Sequence, residues 1–336
     1  MVLGFFLSIF LGHRWSGSVL DFFKSGWILP NLNSNNIVLI PKFLGANKIE
    51  DFRAIALANF QFKIITKVLA DKLSVVAAKI VSPQQRGFLK ERHIFYCICL
   101  ASEATNLLDH KTFGGNVILK LDIRKAFDTM DWDFLLKTLT AFGFNQKFTN
   151  WINVILNSAK LSVNVNGNSV DFFECKRGVR QGDPLSPLFF CIAEDVLSRG
   201  ITNLVAEGKL STISGPGNIK TTSHVLYADD VLVFCKGLKK EIDGLNQILR
   251  DYANNSGQVI NHSKCKFYIM NASSRKVALL TSYLGFSSGS LPFNYLGAPL
   301  FKGKPRIVHL QPITDRIEQK LSNWKVLASQ LWGEWN

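Results

Sequence analysis

The stretch Ser223-His224-Val225-Leu226-Tyr227-Ala228-Asp229-Asp230-Val231-Leu232-Val233-Phe234-Cys235 sets two adjacent carboxylates between two short apolar runs. Both runs are rich in β-branched and aromatic residues, and Asp favours turns. The stretch therefore reads as a β-hairpin with Ala228-Asp229-Asp230 at or near its turn. An ordinary surface turn uses the same residue types, so a further carboxylate in a matching setting is what gives the motif weight.

That carboxylate is Asp122, in Asn116-Val117-Ile118-Leu119-Lys120-Leu121-Asp122-Ile123-Arg124-Lys125-Ala126-Phe127-Asp128. Residues 117–121 form a buried-strand candidate, and Asp122 falls at its C-terminal end. An Asp at a strand end and two on a neighbouring hairpin can converge on hard cations. Mg²⁺ takes oxygen ligands and is typically held by one or two carboxylates plus substrate phosphates. Two such ions, about 3.5–4 Å apart, stabilise the attacking and leaving oxygens of an in-line phosphoryl displacement. Without metal the carboxylates repel one another. The chemistry points to nucleotidyl transfer.

Three motifs, in order, resemble those of reverse transcriptases. Leu121-Asp122-Ile123-Arg124-Lys125-Ala126-Phe127-Asp128 is similar to the first catalytic-aspartate motif, and Tyr227-Ala228-Asp229-Asp230 matches the Tyr-x-Asp-Asp box. Arg177-Gly178-Val179-Arg180-Gln181-Gly182-Asp183-Pro184-Leu185-Ser186-Pro187 is close to the form of LINE-type (non-LTR) retrotransposon enzymes. The resemblance runs from about residue 36 to 300. It implies an α+β right-hand polymerase fold, with an antiparallel palm sheet packed on helices. Residues 1–110 would form the fingers and 111–290 the palm. Residues 291–336 would give a primer-grip hairpin and the start of an incomplete thumb.

The same resemblance implies roles. Asp122, Asp229 and Asp230 would be catalytic and hold two Mg²⁺, with Mn²⁺ as a possible substitute. Phe127 would pack against the sugar of the incoming nucleotide and exclude a 2′-hydroxyl, the group that tells RNA from DNA; a core Phe on the first turn of the next helix is the alternative. Gln181 and Gly182 would lie along the nascent base pair, with Arg177 and Arg180 available to phosphate. Arg53, in Arg53-Ala54-Ile55-Ala56 where the family usually has Arg-Pro-Ile-Ser, would reach template or triphosphate; otherwise it is a helix-entry Arg. Lys264 would neutralise the leaving pyrophosphate. Tyr295, Leu296 and Gly297 would form the primer grip. The partners implied are an RNA template, a DNA primer and dNTPs. Complete LINE-type proteins usually carry an endonuclease before this region and further domains after it. The sequence resembles a fragment of such a protein, expected to hold duplex poorly and not to nick DNA. The rival reading is a retroelement-derived nucleic-acid-binding protein without turnover.

Composition agrees. Lys+Arg of 39 against Asp+Glu of 25 gives +14 over 336 residues, which suits a polyanion partner as well as a simply basic protein. Hydrophobic content of 47% excludes a disordered chain. Six Cys without a paired zinc spacing read as thiols of a reducing compartment, nuclear or cytoplasmic. Residues 1–13 are apolar, but too short for a membrane span and without a basic n-region, so they read as part of a packed helix or as an odd start created by truncation. Helices are expected at 18–24, 61–80, 94–108, 188–199 and 241–253, a strand at 37–42 and a hairpin arm at 161–168. Phe62, Ile65, Val68, Leu69, Leu73, Val76, Ala77 and Ile80 are the expected core face of the second helix. Residues 82–88 read only as its break, and Arg86 and Arg92 as minor basic positions.

Overall fold

Helical spacing of apolar residues and a side-chain cap together set the longest helix of the N-terminal half. Asn59 accepts the Gln61 N–H at 3.0 Å and opens a helix from Phe60 to Ile80, with Phe62, Ile65, Leu69, Leu73 and Ala77 buried. Val76 is the exception: it is 41% exposed, on the outward side of the stripe. The computed structural model describes residues 13–165, 168–218 and 221–333. The helix expected at 1–13 lies almost wholly outside them, as does the tip of the 161–168 hairpin.

In chain order, α1 (His13–Ser25) precedes β1 (Ser34–Pro41), β2 (Phe52–Leu57), α2 (Phe60–Ile80) and α3 (Ile94–Asn106). β3 (Asn116–Asp122) leads through a single helical turn to α4 (Trp132–Ala141), α5 (Gln146–Asn157) and the short strands β4 (Lys160–Val165), β5 (Asn168–Ser169) and β6 (Phe173–Glu174). Then come α6 (Ser186–Ala206), β7 (His224–Tyr227), β8 (Asp230–Lys236), α7 (Lys239–Ser256), β9 (Lys266–Ile269) and α8 (Ser274–Leu284). The hairpin β10 (Phe293–Tyr295) and β11 (Ala298–Leu300) and the helix α9 (Ile307–Gly333) close the described chain. α6 starts two residues before and ends seven after the expected 188–199 helix, because the apolar run continues through Ile201 and Leu204.

Two sheets organise these elements. β1 pairs antiparallel with β2 and parallel with β4, to which β5 and β6 add. This sheet thus draws residues 160–174 back to residues 34–57. The second sheet is antiparallel throughout, in the order β7-β8-β3-β9. Strand side chains alternate. Val117, Leu119 and Leu121 of β3 therefore join Val231, Val233 and Cys235 on one face, under α6, α7 and α8. Ile118, Leu232 and Phe234 join the other face, under α3 and the β10–β11 hairpin. Burial on both faces explains why 117–121 is apolar at every position except Lys120 rather than alternating.

His224 opens β7 with no exposed surface. Its Nε2 and Nδ1 lie 2.8 Å from the hydroxyls of Ser198 and Ser223. Burial disfavours the imidazolium and lowers its pKa to about 4. The stabilisation from a neutral His224 is thus fully present above the ordinary value near 6.5 and is lost as pH falls through about 4. The shift corresponds to roughly 3 kcal/mol. Urea unfolding at pH 7 and pH 4 should show a His224→Gln variant losing less stability than the parent by about that amount. Equal losses would exclude the titration.

Candidate active site

The hairpin turn is where the sequence reading put it. Tyr227 pairs with Asp230, leaving Ala228 and Asp229 as a two-residue loop. Asp230 is also the register partner of Asp122 across β3 and β8. Directly opposed residues of an antiparallel pair project to the same face with Cβ atoms roughly 5 Å apart. By the alternation already described, that face is the one carrying Ile118, Leu232 and the β10–β11 hairpin. Sequence-distant carboxylates thus meet at one sheet end, with Asp229 at the tip beside them.

Backbone bonds fix Asp122. Its carbonyl accepts from the Asn261 N–H at 2.8 Å, and its own N–H points at the Cys265 sulfur at 3.2 Å. Lys264 Nζ stands 3.9 Å from Asp122 Oδ2, a solvent-exposed contact of little intrinsic strength. Burial raises the pKa of Asp229, and the negative charge of Asp122 adds to the rise; Lys264 and Arg53 oppose it. Asp230 is raised by burial, then by Asp229 and Asp122, and Lys120 opposes. Arg53, exposed on β2, is therefore close enough to act on Asp229.

These donors fit hard divalent cations: they are carboxylate oxygens, they crowd one another, and their negative charge is only partly balanced by neighbouring cations. Among the described residues no group of three or more His, Cys, Asp or Glu closes around a single ion position. A site completed by water and substrate phosphates needs no such cage.

The loop 177–187 meets the site from the other sheet. Gly178 and Val179 donate to the Met130 and Phe127 carbonyls at 2.7 Å, and Ala56 of β2 donates to the Gln181 carbonyl at 3.0 Å. At Gly182 the backbone has φ +102°, and an added Cβ would sit 3.1 Å from the Ala56 carbonyl, so glycine is required there. Gln181 and Gly182 thus sit between β2 and the single turn carrying Phe127. The Phe127 ring is half-buried, stacked on Phe190 at 4.9 Å and edge-on to Phe88 at 6.4 Å. Arg177 is exposed. A cavity of about 300 Å³ beside this loop is lined by Trp132, Phe189 and Cys175, and none of Asp122, Asp229 or Asp230 reaches it.

Two expected contacts are not presented to a ligand. Arg180 turns inward: it bonds Asn33, lies 3.5 Å from Asp183 and covers the Phe62 ring at 4.9 Å. It ties the loop to α2 and to the segment before β1 instead of standing in solvent. Tyr295 is 1% exposed, and its hydroxyl has no hydrogen-bond partner within standard geometry among the described residues. It anchors the hairpin to the sheet, while Leu296 (φ +49°) and Gly297 (φ +82°) form the two-residue turn outside. Arg316 of α9 donates to the Gly297 carbonyl at 2.7 Å, and Lys120 to that of Asn294 at 2.9 Å.

The sequence reading took residues 82–88 only as a helix break and Arg86 and Arg92 as minor basic positions. Arg92 donates to the carbonyls of Ala78, Val81, Ser82 and Gln85, capping α2. Gln85 and Glu194 lie buried directly behind the Ala228-Asp229 turn. Burial and the charge of Asp229 push the Glu194 carboxyl well above the usual carboxylate range. The only sequence signal was a set of polar residues on the otherwise apolar helix α6.

Residues 40–300 match the family model described as "Reverse transcriptase (RNA-dependent DNA polymerase)". The Xenopus laevis transposon TX1 uncharacterized 149 kDa protein is 26% identical over 96% of this chain and 24% of its own length. The Pol polyprotein of the Drosophila melanogaster type-2 retrotransposable element R2DM is 30% identical over 68% of this chain and 20% of its own. The chain thus spans about a quarter or less of these relatives. Among solved structures, apo telomerase from Candida tropicalis truncated from its C-terminal domain aligns with TM-score 0.54 at 16% identity, covering 76% of this chain and 56% of that one. That likeness supports the α+β polymerase fold. With its aspartates, loop and hairpin in this arrangement, the chain belongs to the reverse transcriptase (RNA-dependent DNA polymerase) family.

Proposed function

We propose that this chain extends a DNA primer 3′-hydroxyl with deoxynucleoside triphosphates on an RNA template. The observation that carries the proposal is the pairing of Asp122 with Asp230, with Asp229 at the adjoining turn. The family generally uses divalent metal ions. Here Asp122, Asp229 and Asp230 would hold two Mg²⁺, or Mn²⁺. Such ions, when bound, stabilise the attacking and leaving oxygens of the displacement. The chain's own residues supply the rest. Arg53 and Lys264, both exposed near Asp229, attract the triphosphate and offset charge on the departing pyrophosphate. Gln181 and Gly182 give a rigid floor beside the base pair, and Arg177 an exposed cation. Leu296 and Gly297 present the hairpin turn toward the primer. We further propose residues 1–110 as fingers, 111–290 as palm and 291–336 as the primer-grip hairpin with the beginning of a thumb, the strands at 160–174 returning to the fingers sheet. No helix among the described residues is long and apolar enough to cross a membrane.

The test is a primed RNA template with dNTPs and Mg²⁺, scored for products longer than the primer. Metal-dependent, RNA-templated extension is expected. Tight primer–template binding without extension would instead establish a nucleic-acid-binding protein without turnover. The same assay reads sugar choice. Replacing Phe127 by Val opens space beneath the sugar, so Phe127→Val should relax discrimination against ribonucleotides on the order of 10- to 100-fold. Unchanged selectivity in a still-active variant would leave Phe127 as a core residue stacked on Phe190.

A further inference from the structure

Asp229 is aimed by a turn that its own sequence does not favour. Ala228 sits at φ +53°, a left-handed conformation that a residue with a Cβ rarely adopts unless its surroundings impose it. The imposing group is Gln85. Its Oε1 accepts the Ala228 N–H at 3.1 Å and the Gly87 N–H at 2.9 Å. Its Nε2 donates to Glu194 Oε2 at 2.7 Å, inside the protein. The backbone on either side runs along β7: Leu226 donates to the Gln84 carbonyl at 2.9 Å, and Arg86 donates to the Leu226 carbonyl at 2.8 Å. At Gly87 a Cβ would stand 2.4 Å from the Ala228 nitrogen, so only glycine allows the approach.

Helix α6 in turn holds this segment. Cys191 donates to the Gly87 carbonyl at 3.2 Å, Asp195 Oδ1 accepts the Ser82 N–H at 2.8 Å, and the hydroxyls of Ser198 and Ser82 lie 2.7 Å apart. With Glu194 these residues fall at i, i+3, i+4 and i+7, one face of the helix. Their polarity in a buried face is accounted for by the segment they grip.

We propose that residues 82–87 are a strap that positions the candidate catalytic turn, with Gln85 as its positioning residue: the amide locks Ala228 in the left-handed conformation and so sets where Asp229 points. The proposal rests on the polymerase reading for its kinetic consequence. The strap is polarised, because the Gln85 amide must accept from the turn and donate to Glu194. A carboxylate at position 85 keeps the acceptor but loses the amide donor, so its link to the Glu194 carboxyl survives only through a single shared proton. Exchanging the two side chains restores one donor and one acceptor.

The experiment compares the parent with Gln85→Ala, Gln85→Glu and the double variant Gln85→Glu/Glu194→Gln. It measures single-turnover nucleotide incorporation, apparent dNTP affinity, Mn²⁺ affinity by electron paramagnetic resonance, and Tm. Misplacing a reacting group by about 1 Å costs on the order of 100-fold in rate. Gln85→Ala and Gln85→Glu should therefore lose about that much in maximal rate, with dNTP affinity nearly unchanged and Mn²⁺ bound more weakly. The double variant should regain most of both. Three outcomes would overturn the proposal: a folded Gln85→Ala protein with parental rate and Mn²⁺ affinity, a double variant no better than Gln85→Glu, or losses that merely follow the unfolded fraction given by Tm. A parent that binds Mn²⁺ but extends no primer would refute the polymerase reading instead. The strap would then stand or fall on Mn²⁺ affinity alone.

Discussion

Asp229→Asn should lower the rate of primer extension on the order of 10³-fold while leaving primer–template affinity close to that of the parent. The substitution removes one charge from the cluster and nothing from the exposed basic surface. It should also raise Tm in metal-free buffer at neutral pH. Burial and Asp122 raise the pKa of Asp229, so the ionised carboxylate destabilises the folded chain. The sign follows from linkage: a carboxyl raised in the folded state contributes stability at low pH, which is lost as pH rises through the folded value. The Tm advantage of the Asn variant should thus shrink as pH falls and the parent's carboxyl is protonated. Undiminished extension would remove Asp229 from the chemistry. A lower Tm at neutral pH would show that its charge is already neutralised within the fold.

Arg180→Ala should destabilise the protein by about 3–5 kcal/mol, because it strips the counter-charge from buried Asp183 and uncovers Phe62. Arg180→Met/Asp183→Leu, which removes both charges and keeps most of the volume, should recover much of that loss. Urea unfolding measures both. If Arg180 instead met phosphate, Arg180→Ala would leave stability unchanged and reduce the salt dependence of nucleic-acid binding by about one counterion. The contrast matters because Arg177, three residues earlier in the same motif, is exposed and remains available to an anion.

The sequence revealed the centre and hid its support. Asp122 and Asp229-Asp230 were legible because largely apolar runs flank them, and a two-face-buried sheet demands such runs. Their convergence was expected from strand-end placement, and the register between β3 and β8 sets Asp230 opposite Asp122. Arg180 and Tyr295 were legible as residue types but not as directions. Nothing local tells a guanidinium to turn toward Asn33 and Phe62, or a phenol to sink behind the sheet. The strap was illegible for a related reason. Gln85 contacts Ala228 and Glu194 across long sequence separations, and a Ser-Pro-Gln-Gln-Arg-Gly run reads as a helix break wherever it occurs. Likewise, the parallel pairing of β4 with β1 joins residues 160–163 to 34–37, a connection that hydrophobic periodicity does not encode.

The most direct measurement is an anomalous-difference map from crystals grown with primer–template, a non-hydrolysable dNTP analogue and Mn²⁺. The account predicts two manganese peaks about 3.5–4 Å apart, both within coordination distance of Asp122 and Asp229, and their loss in Asp229→Asn crystals. Manganese bound elsewhere, with these carboxylates left unliganded beside an ordered nucleotide, would contradict it.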